Sequence, residues 1–312
     1  PVLRHLLHTT VQEVRRLAEA GATLDHRDGG ILQVCSTAAG LQALRREADE
    51  WGHWGVRTEV LESAALHAAE PLLTMAAIGA VRLVDDACFD PALLLAAVTE
   101  EGNRHGVVSY DARAARIEPR GDRSARVHIS MGVLDVTRVV VAAGVWTPTL
   151  CRPLGARLPI ASARGNSVTL PDAPKPNSPM LLHEQRLALS PLTQGLRVTG
   201  GYRLTRHEDR AVSSLRSHEI VRRAGQVLDL PVGMQPSNEW TGLRPATPDG
   251  LPIVGALPNA PCVLVASGHG MLGSSSGPGT GEVVAALLAG DELPFDPTVV
   301  APGRFARKGS GR

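Results

Sequence analysis

The chain has 312 residues, 43% of them hydrophobic, so it is long enough to bury a substantial core in one large or two medium domains. Its 32 basic and 31 acidic residues nearly cancel, and no dense run of Lys and Arg is interleaved with aromatic residues. This charge pattern argues against a nucleic-acid interface and favours small-molecule chemistry.

The four cysteines lie far apart in the sequence, at Cys35, Cys88, Cys151 and Cys262. They form neither a CxxC pair nor a Cys/His cluster with metal-ligand spacing, so we predict reduced thiols and no metal site. The longest apolar run, at residues 139–145, is far shorter than the roughly 18 residues of a membrane-spanning helix. We therefore expect a cytoplasmic protein. Peripheral contact with the inner face of the plasma membrane and the oligomeric state are left open.

The N-terminal part of the chain alternates helix and strand patterns. Apolar residues at helical spacing predict a first helix over residues 2–20. Its predicted buried stripe consists of Leu3, Leu7, Val11, Val14 and Ala18. The patterns that follow predict a strand at 31–34, a helix at 37–51, a helical turn at 62–67 and a strand at 78–84.

The middle of the chain begins with a well-marked helix start. Asp90 and Pro91 are typical N-cap and first-turn residues, and their helix is predicted to end at Gly102 or Gly106. Strands are predicted at residues 107–110, 114–118, 125–130 and 134–138. The continuous apolar run at residues 139–143 predicts a central strand that is buried on both faces. Strand, helix and strand in this order indicate an α/β domain.

Shorter strand patterns follow Arg164. Strands are predicted at residues 166–170, 187–189 and 196–199, and the Pro and Gly turns between them indicate an antiparallel sheet. The remaining predicted elements are a helix at 214–228, a strand at 262–266 and a last helix from about 280 to 288.

A glycine-rich loop, GHGMLG at residues 268–273, matches the GxGxxG pattern of dinucleotide-binding folds. That fold also needs a helix directly after the glycines and then a second parallel strand. Because SSSGPG precedes the predicted helix and few residues follow it, a nicotinamide-dependent (NAD) dehydrogenase is a remote alternative. We favour a loop along a flat ligand, with the helix N-terminus aimed at a group that becomes negative. A glycine-rich surface connection is the other interpretation.

Two residues near this loop are candidates for chemistry. Arg244 stands between Leu243 and Pro245, a setting that suits a bidentate pair with a substrate carboxylate. The sequence leaves open a structural ion pair with Glu239, Asp249 or another acid. His269 is a candidate base, although a histidine between glycines more often positions backbone or contacts a ligand edge.

Several segments together resemble the FAD-dependent oxidoreductases of the D-amino-acid oxidase superfamily, and most nearly the bacterial D-amino-acid dehydrogenases. They are VVVAAGVWTP, LGARLPIASARGNSVTL, WTGLRPATPDGLPIVG and GHGMLG with GPGTGEVVAALLAG. The resemblance implies FAD as cofactor and oxidative deamination of a D-amino acid or related secondary amine. Hydride would pass from the substrate α-carbon to flavin N5, and electrons then to a quinone or to oxygen.

The resemblance also implies roles for particular residues. Arg244 would bind the α-carboxylate. Related enzymes often hold the carboxylate with tyrosines as well, but here Asn166 stands in the matching segment and Tyr202 lies nearby, so we predict these two as further substrate contacts. The flavin side of the sheet would be formed by Ala142, Ala143, Gly144 and Trp146. The residues beside the isoalloxazine ring would be Gly268, His269, Gly270, Met271 and Leu272. The N-terminus of the last helix would lie near the N1/C2 carbonyl edge of the ring.

The implied fold class is α/β (α+β overall), with an incomplete Rossmann-like FAD-binding domain and an antiparallel-sheet substrate domain. The predicted division is a linking helix at 1–26, substrate-domain parts at 27–78 and 163–237, FAD-domain parts at 79–162 and 238–300, and a tail at 301–312. We expect the family's N-terminal strand, glycine turn and helix, which hold the ADP part of FAD, to be absent. A non-catalytic fragment that does not retain FAD is therefore the second interpretation.

Overall fold

The fold is described from a computed structural model, which describes residues 1–205 and 211–305. Within these residues the helices are α1 (Val2–Glu19), α2 (Ala38–His53), α3 (Ser63–Ala69), α4 (Pro91–Arg104), α5 (Thr147–Cys151), α6 (Ser214–Ala224) and α7 (Gly273–Ala289). The strands are β1 (Ile31–Cys35), β2 (Thr58–Glu62), β3 (Gly79–Leu83), β4 (Ala114–Pro119), β5 (Ala125–Ile129), β6 (Gly132–Val136), β7 (Val139–Val141), β8 (Ala161–Leu170), β9 (Met180–Leu182), β10 (Leu187–Leu192), β11 (Gly195–Thr205), β12 (Ser237–Ala246), β13 (Ile253–Leu257) and β14 (Ala260–Ser267).

Eight strands form the largest sheet, in the order β12-β8-β11-β10-β9-β1-β3-β2. Its neighbouring strands pair antiparallel except β1 and β9, which run parallel. Because successive residues of a strand point to opposite faces, one face carries alternate apolar side chains that pack with α6. They include Val168, Leu170, Leu189, Leu196 and Val198. On the other face, the hydroxyls of Ser167 and Thr199 form a hydrogen bond of 3.0 Å.

A second sheet contains β13, β14 and β7, in that order, and β14 runs parallel to β7. Its core includes Val141, Val263 and Val265. The prediction of a strand buried on both faces over residues 139–143 is wrong at Val140, which is exposed. Successive residues of a strand point to opposite faces, and here the face of Val141 packs in the core whereas the face of Val140 is exposed.

A third sheet, β4-β5-β6, is an antiparallel meander. The additional strand predicted at residues 107–110 is wrong, because these residues are irregular. Gly106 ends α4 with a φ of 83°, and the Val107 N–H donates to the carbonyl of Gly102 at 3.0 Å. The backbone of Val107 therefore closes the helix end in a Schellman motif and does not enter a sheet.

Helix α1 packs against α7 in its first half, whereas Val14 and Leu17 pack with Leu24 and Leu94. The buried residues of α1 are Val2, Leu6, Thr10, Val14 and Leu17. Only Val14 belongs to the predicted stripe. A Cβ at Gly279 of α7 would collide with the Leu6 backbone, and the Gly279 N–H donates to Thr10 Oγ1 at 3.2 Å. Because Gly279 approaches α1 so closely, Leu6 and Thr10 are buried in place of the predicted Leu3 and Leu7.

The predicted division into domains stays a prediction. The strand pairing bears on two of its boundaries, because that division gave β3 and β12 to the FAD-binding part. Both strands hydrogen-bond within the eight-stranded sheet. The eight-stranded sheet therefore contains strands from both of the predicted parts.

The four cysteines are buried and unpaired. Burial raises the pKa of Cys35 to about 12 and that of Cys151 to about 11, so both thiols stay protonated and unreactive at neutral pH. Among the described residues, no group of three or more His, Cys, Asp or Glu side chains could hold a metal ion. No helix in the same residues is long and apolar enough to cross a membrane.

Candidate active site

Three segments that are distant in sequence meet at the carboxyl ends of strands β7 and β14. Because β7 and β14 run parallel, the turn after β7 and the loop after β14 lie side by side. Ser267 Oγ donates to the carbonyl of Gly144 at 3.1 Å, which joins these two segments. The Gly270 N–H donates to the carbonyl of Pro245 at 2.9 Å and ties the loop to β12. The glycine-rich loop is thus fixed beside the residue that follows Arg244.

The loop over residues 268–272 has a backbone that only glycine adopts readily. Gly268 and Gly270 have φ values of 82° and 55°. A Cβ at Gly268 would lie 2.8 Å from Thr247 Cγ2, so the loop passes close to the segment after β12. Met271 is exposed at the tip of the loop, and Leu272 leads directly into α7.

Helix α7 begins at Gly273, seven residues earlier than the predicted start at Thr280. The later start was predicted because a proline in a helix interior normally interrupts the helix, so Pro278 was expected to precede it. The prediction of the start is wrong. Here Pro278 lies inside α7, and packing of Gly279 on α1 holds this turn in place. The first turn of α7, with its unpaired N–H groups, therefore begins at Gly273, the last residue of the GHGMLG loop.

Arg244 lies on β12, with Gly165 of β8 beside it. The Arg244 guanidinium occupies the space where a Cβ of Gly165 would lie, and its Nη1 donates to the carbonyl of Gly201. Burial lowers the pKa of Arg244, and the nearby Tyr202 partly offsets this effect. An arginine remains charged after such a shift. The site therefore contains a partly desolvated cation.

The acids that the sequence offered as structural partners of Arg244 are not in contact with it. Asp249 accepts a salt bridge from Arg304 at 2.8 Å. Oε2 of Glu239 is buried without a hydrogen-bond partner. Across residues 1–205 and 211–305, no salt bridge to Arg244 is formed. Within the described residues, the Arg244 guanidinium therefore has a backbone carbonyl and no carboxylate as its partner.

His269 connects the loop to α7. Its Nε2 lies 2.9 Å from Thr280 Oγ1, and that hydroxyl donates to the carbonyl of Ser276 at 2.8 Å. Burial lowers the pKa of His269 to about 4, so the ring is uncharged at neutral pH. A group with this pKa is a weak base near pH 7. The geometry therefore favours the positioning role over the general-base role.

The predicted residues after β7 lie at the same edge as the loop. Ala142 and Ala143 follow the strand, and a short 3-10 helix, Gly144–Trp146, comes next. Gly144 has a φ of 54°, and the Trp146 N–H donates to the Ala143 carbonyl at 3.0 Å. The structure thus places Ala142, Ala143, Gly144 and Trp146 directly after β7, next to the loop that follows β14. Their place on the flavin side of the sheet stays a prediction.

The two further substrate contacts predicted from the sequence are placed differently. Tyr202 is exposed and close enough to Arg244 to affect its pKa. Asn166 is buried, and its Oδ1 accepts a hydrogen bond from Thr241 at 2.9 Å. Since Gly165 faces the Arg244 guanidinium, strand alternation directs Asn166 to the opposite face. Asn166 and Arg244 therefore lie on opposite faces of the sheet, although both approach Gly201, and the substrate role of Asn166 stays a prediction.

One residue of this site was missed in the sequence. Trp240 lies on the same face of β12 as Arg244, and it is exposed although it is a large aromatic side chain. The signal was present in WTGLR, because Trp240, Gly242 and Arg244 alternate and so share one face of a strand.

Comparison with known proteins gives consistent matches. Residues 2–287 match the family model described as DAO, FAD dependent oxidoreductase. The D-amino acid dehydrogenase of Methylobacterium radiotolerans is 32% identical over 296 residues, which cover 92% of this chain and 70% of that protein. The D-amino acid dehydrogenase of Methylobacterium nodulans is 33% identical over 288 residues, which cover 88% and 66%. The chain thus spans about two thirds of the length of these curated relatives.

Solved structures show the same fold. Glycine oxidase from Geobacillus kaustophilus superposes with a TM-score of 0.87 at 22% identity, and L-proline dehydrogenase from P. horikoshii with 0.85 at 17% identity. Each alignment covers 97% of this chain and 83% of the other. The family model spans most of the sequence. The chain belongs to the FAD-dependent oxidoreductases of the DAO family.

Proposed function

We propose that this chain carries the flavin-ring and substrate parts of an amino-acid dehydrogenase or oxidase, which oxidises a D-amino acid or a related secondary amine. One observation carries the proposal. Arg244 is a partly desolvated cation without an acidic partner in the described residues, and the next residue accepts a hydrogen bond from the loop at Gly270. A carboxylate bound by Arg244 would therefore lie beside the predicted flavin loop.

The described residues fit the ring portion of FAD. Gly268 leaves no room for a side chain beside Thr247, and the loop presents backbone along its length. The first N–H groups of α7 follow this loop without an intervening segment. Such N–H groups favour negative charge, which the pyrimidine edge of a reduced flavin carries. We therefore assign residues 268–272 and the start of α7 to hold the ring.

The reaction divides between the cofactor and the chain. FAD, when bound, supplies the acceptor for the hydride from the substrate α-carbon. Arg244 binds the α-carboxylate as a bidentate pair and so limits the positions that the α-carbon can take. Tyr202 lies close to the same guanidinium, which supports a second contact with the substrate there. His269 holds the loop against α7 through Thr280 and stays uncharged at neutral pH.

The experiment is anaerobic flavin reduction by D-amino acids and their L-enantiomers, with the full chain and added FAD. Replacing Arg244 with Ala should cost about 2 to 4 kcal/mol of transition-state binding, because a charged hydrogen-bond pair is lost. Arg244→Lys keeps the charge but loses the bidentate geometry, so it should fall between Ala and the unmodified chain. Arg222→Ala, which removes an exposed arginine from α6, is the matched control.

Three outcomes separate the interpretations. An unchanged kcat/KM in Arg244→Ala would contradict the carboxylate role. A chain that acquires no flavin spectrum with added FAD supports the non-catalytic interpretation. If substrate bleaches the flavin, reoxidation by oxygen or by a quinone distinguishes an oxidase from a dehydrogenase.

A further inference from the structure

Two glycines lie directly opposite each other beneath the site. Gly165 of β8 pairs with Gly242 of β12, so their missing side chains would point to the same face of the sheet. The Arg244 guanidinium occupies the space above Gly165. The six-membered ring of Trp240 occupies the space above Gly242 in the same way. The pair of glycines thus forms a floor on which a cationic group and an aromatic ring lie next to each other.

The backbone does not require glycine at either position. Neither Gly165 nor Gly242 has a φ in the left-handed region that favours glycine. What requires glycine is space, because a Cβ at either position would collide with the side chain above it. Each glycine therefore sets the position of one particular group, Arg244 in one case and Trp240 in the other.

The surface around this floor is apolar and open. Trp240 is 60% exposed, Tyr202 is 53% exposed and Leu204 is 66% exposed. Leu204 pairs across the strands with Ala163, and Ala163 pairs with Arg244, so these three side chains point to the same face of the sheet. Large apolar side chains exposed around an unpaired cation are typical of a site that binds a ligand with one charged and one apolar end.

We infer that Gly165 and Gly242 divide the substrate site into two halves. The carboxylate would bind at the Arg244 guanidinium, and the apolar side chain of the substrate would lie beside Trp240. The substrate class is then α-amino acids with an aromatic or branched apolar side chain. This inference rests on the proposed function, because it takes Arg244 as the carboxylate ligand. Gly165 and Gly242 are positioning residues, since each acts through the side chain above it.

The test measures binding of acetate and phenylacetate to the full chain by ligand-observed NMR titration. The two probes share the carboxylate and differ in the aromatic ring. Burying the ring should make phenylacetate bind about tenfold tighter or more. Trp240→Ala should remove most of this difference and leave acetate binding nearly unchanged. Trp240→Phe should restore the difference.

The glycine variants form a matched pair. Gly165→Ala should weaken both probes to a similar degree, because it displaces the Arg244 guanidinium. Gly242→Ala should weaken phenylacetate alone, because it displaces the Trp240 ring. Circular dichroism and thermal unfolding check that each variant is folded, and the Trp240 variants keep the test decisive if a glycine variant is not.

The inference is overturned if the unmodified chain binds phenylacetate no tighter than acetate, or if it binds neither. An equal loss of affinity for acetate and phenylacetate in Trp240→Ala also contradicts the inference. Flavin reduction then separates this failure from that of the proposed function. Reduction by D-alanine as efficient as by D-phenylalanine contradicts the substrate class alone. Ring-dependent carboxylate binding without reduction by any amino acid contradicts the oxidoreductase proposal instead.

Discussion

The sheet face that carries Arg244 and the loop before α7 both depend on glycine, but in different ways. At Gly165 and Gly242 the backbone is ordinary, and glycine makes room for side chains that belong to the site. At Gly268 and Gly270 the φ values are positive, and glycine lets the backbone itself form the site. Substitutions on the sheet should therefore change ligand affinity, whereas substitutions in the loop should change the stability of the local fold.

The largest effect should come from Gly268→Ala. This change adds the cost of a left-handed conformation and places a Cβ 2.8 Å from Thr247 Cγ2. Together these should lower the free energy of unfolding by about 2 to 4 kcal/mol. Gly270→Ala is the matched control, because its φ is also positive but its Cβ would meet open space. It should cost about 1 to 2 kcal/mol. Denaturant unfolding of both variants measures the difference, and equal losses would contradict the close contact at Thr247.

The next effect is the dependence of stability on pH at His269. Burial lowers the pKa of His269 from 6.5 to about 4, so the folded chain excludes a proton that the unfolded chain accepts. The stability that the neutral His269 ring contributes to the folded state is fully present above pH 6.5 and is lost as the pH falls toward 4. The loss should be on the order of 2 to 3 kcal/mol.

Unfolding at pH 7.5, 5.5 and 4 should therefore show a flatter pH dependence for His269→Gln than for the unmodified chain. Comparing the two chains removes the contribution of the carboxylates, because both carry the same ones. Parallel pH curves would show that His269 is not buried as a neutral ring. The same curves would then restore a general-base role as a candidate.

The smallest stability effects should occur on the sheet. Gly165→Ala and Gly242→Ala each displace the far end of a flexible side chain and not backbone. We expect each to change the free energy of unfolding by less than about 1 kcal/mol, although probe binding changes strongly. Thermal unfolding beside the NMR titration checks this. Losses as large as that of Gly268→Ala would mean that both regions use glycine in the same way.

The sequence predicted the elements whose signals are local. The N-cap at Asp90 gave the start of α4, and periodicity gave α1 nearly to its last residue. The start of α7 was missed because contact with Leu6 and Thr10 of α1 stabilises a turn that contains Pro278. No pattern within the last fifty residues could show this contact. The buried face of α1 was misplaced for the same reason.

The candidate site was predicted where its residues are close in sequence. The GHGMLG loop and Arg244 were both predicted from the sequence, whereas the hydrogen bond between Gly270 and Pro245 depends on tertiary structure. Asn166 was assigned to the substrate because it stands in a matching segment. Its face of the sheet depends on the register of β8 against β12, which the sequence does not reveal. Trp240 could have been found from its alternation with Arg244.

The bond between the Gly270 N–H and the Pro245 carbonyl is made entirely by main-chain atoms. Replacing the side chains of Met271 or Trp240 leaves both bonded groups in place. The distance between the GHGMLG loop and β12 is therefore independent of the side chains that we propose to contact the substrate. If the proposed roles hold, exchange of a few exposed side chains can change substrate preference while the loop proposed for the cofactor and the strand proposed for the carboxylate keep their relative position.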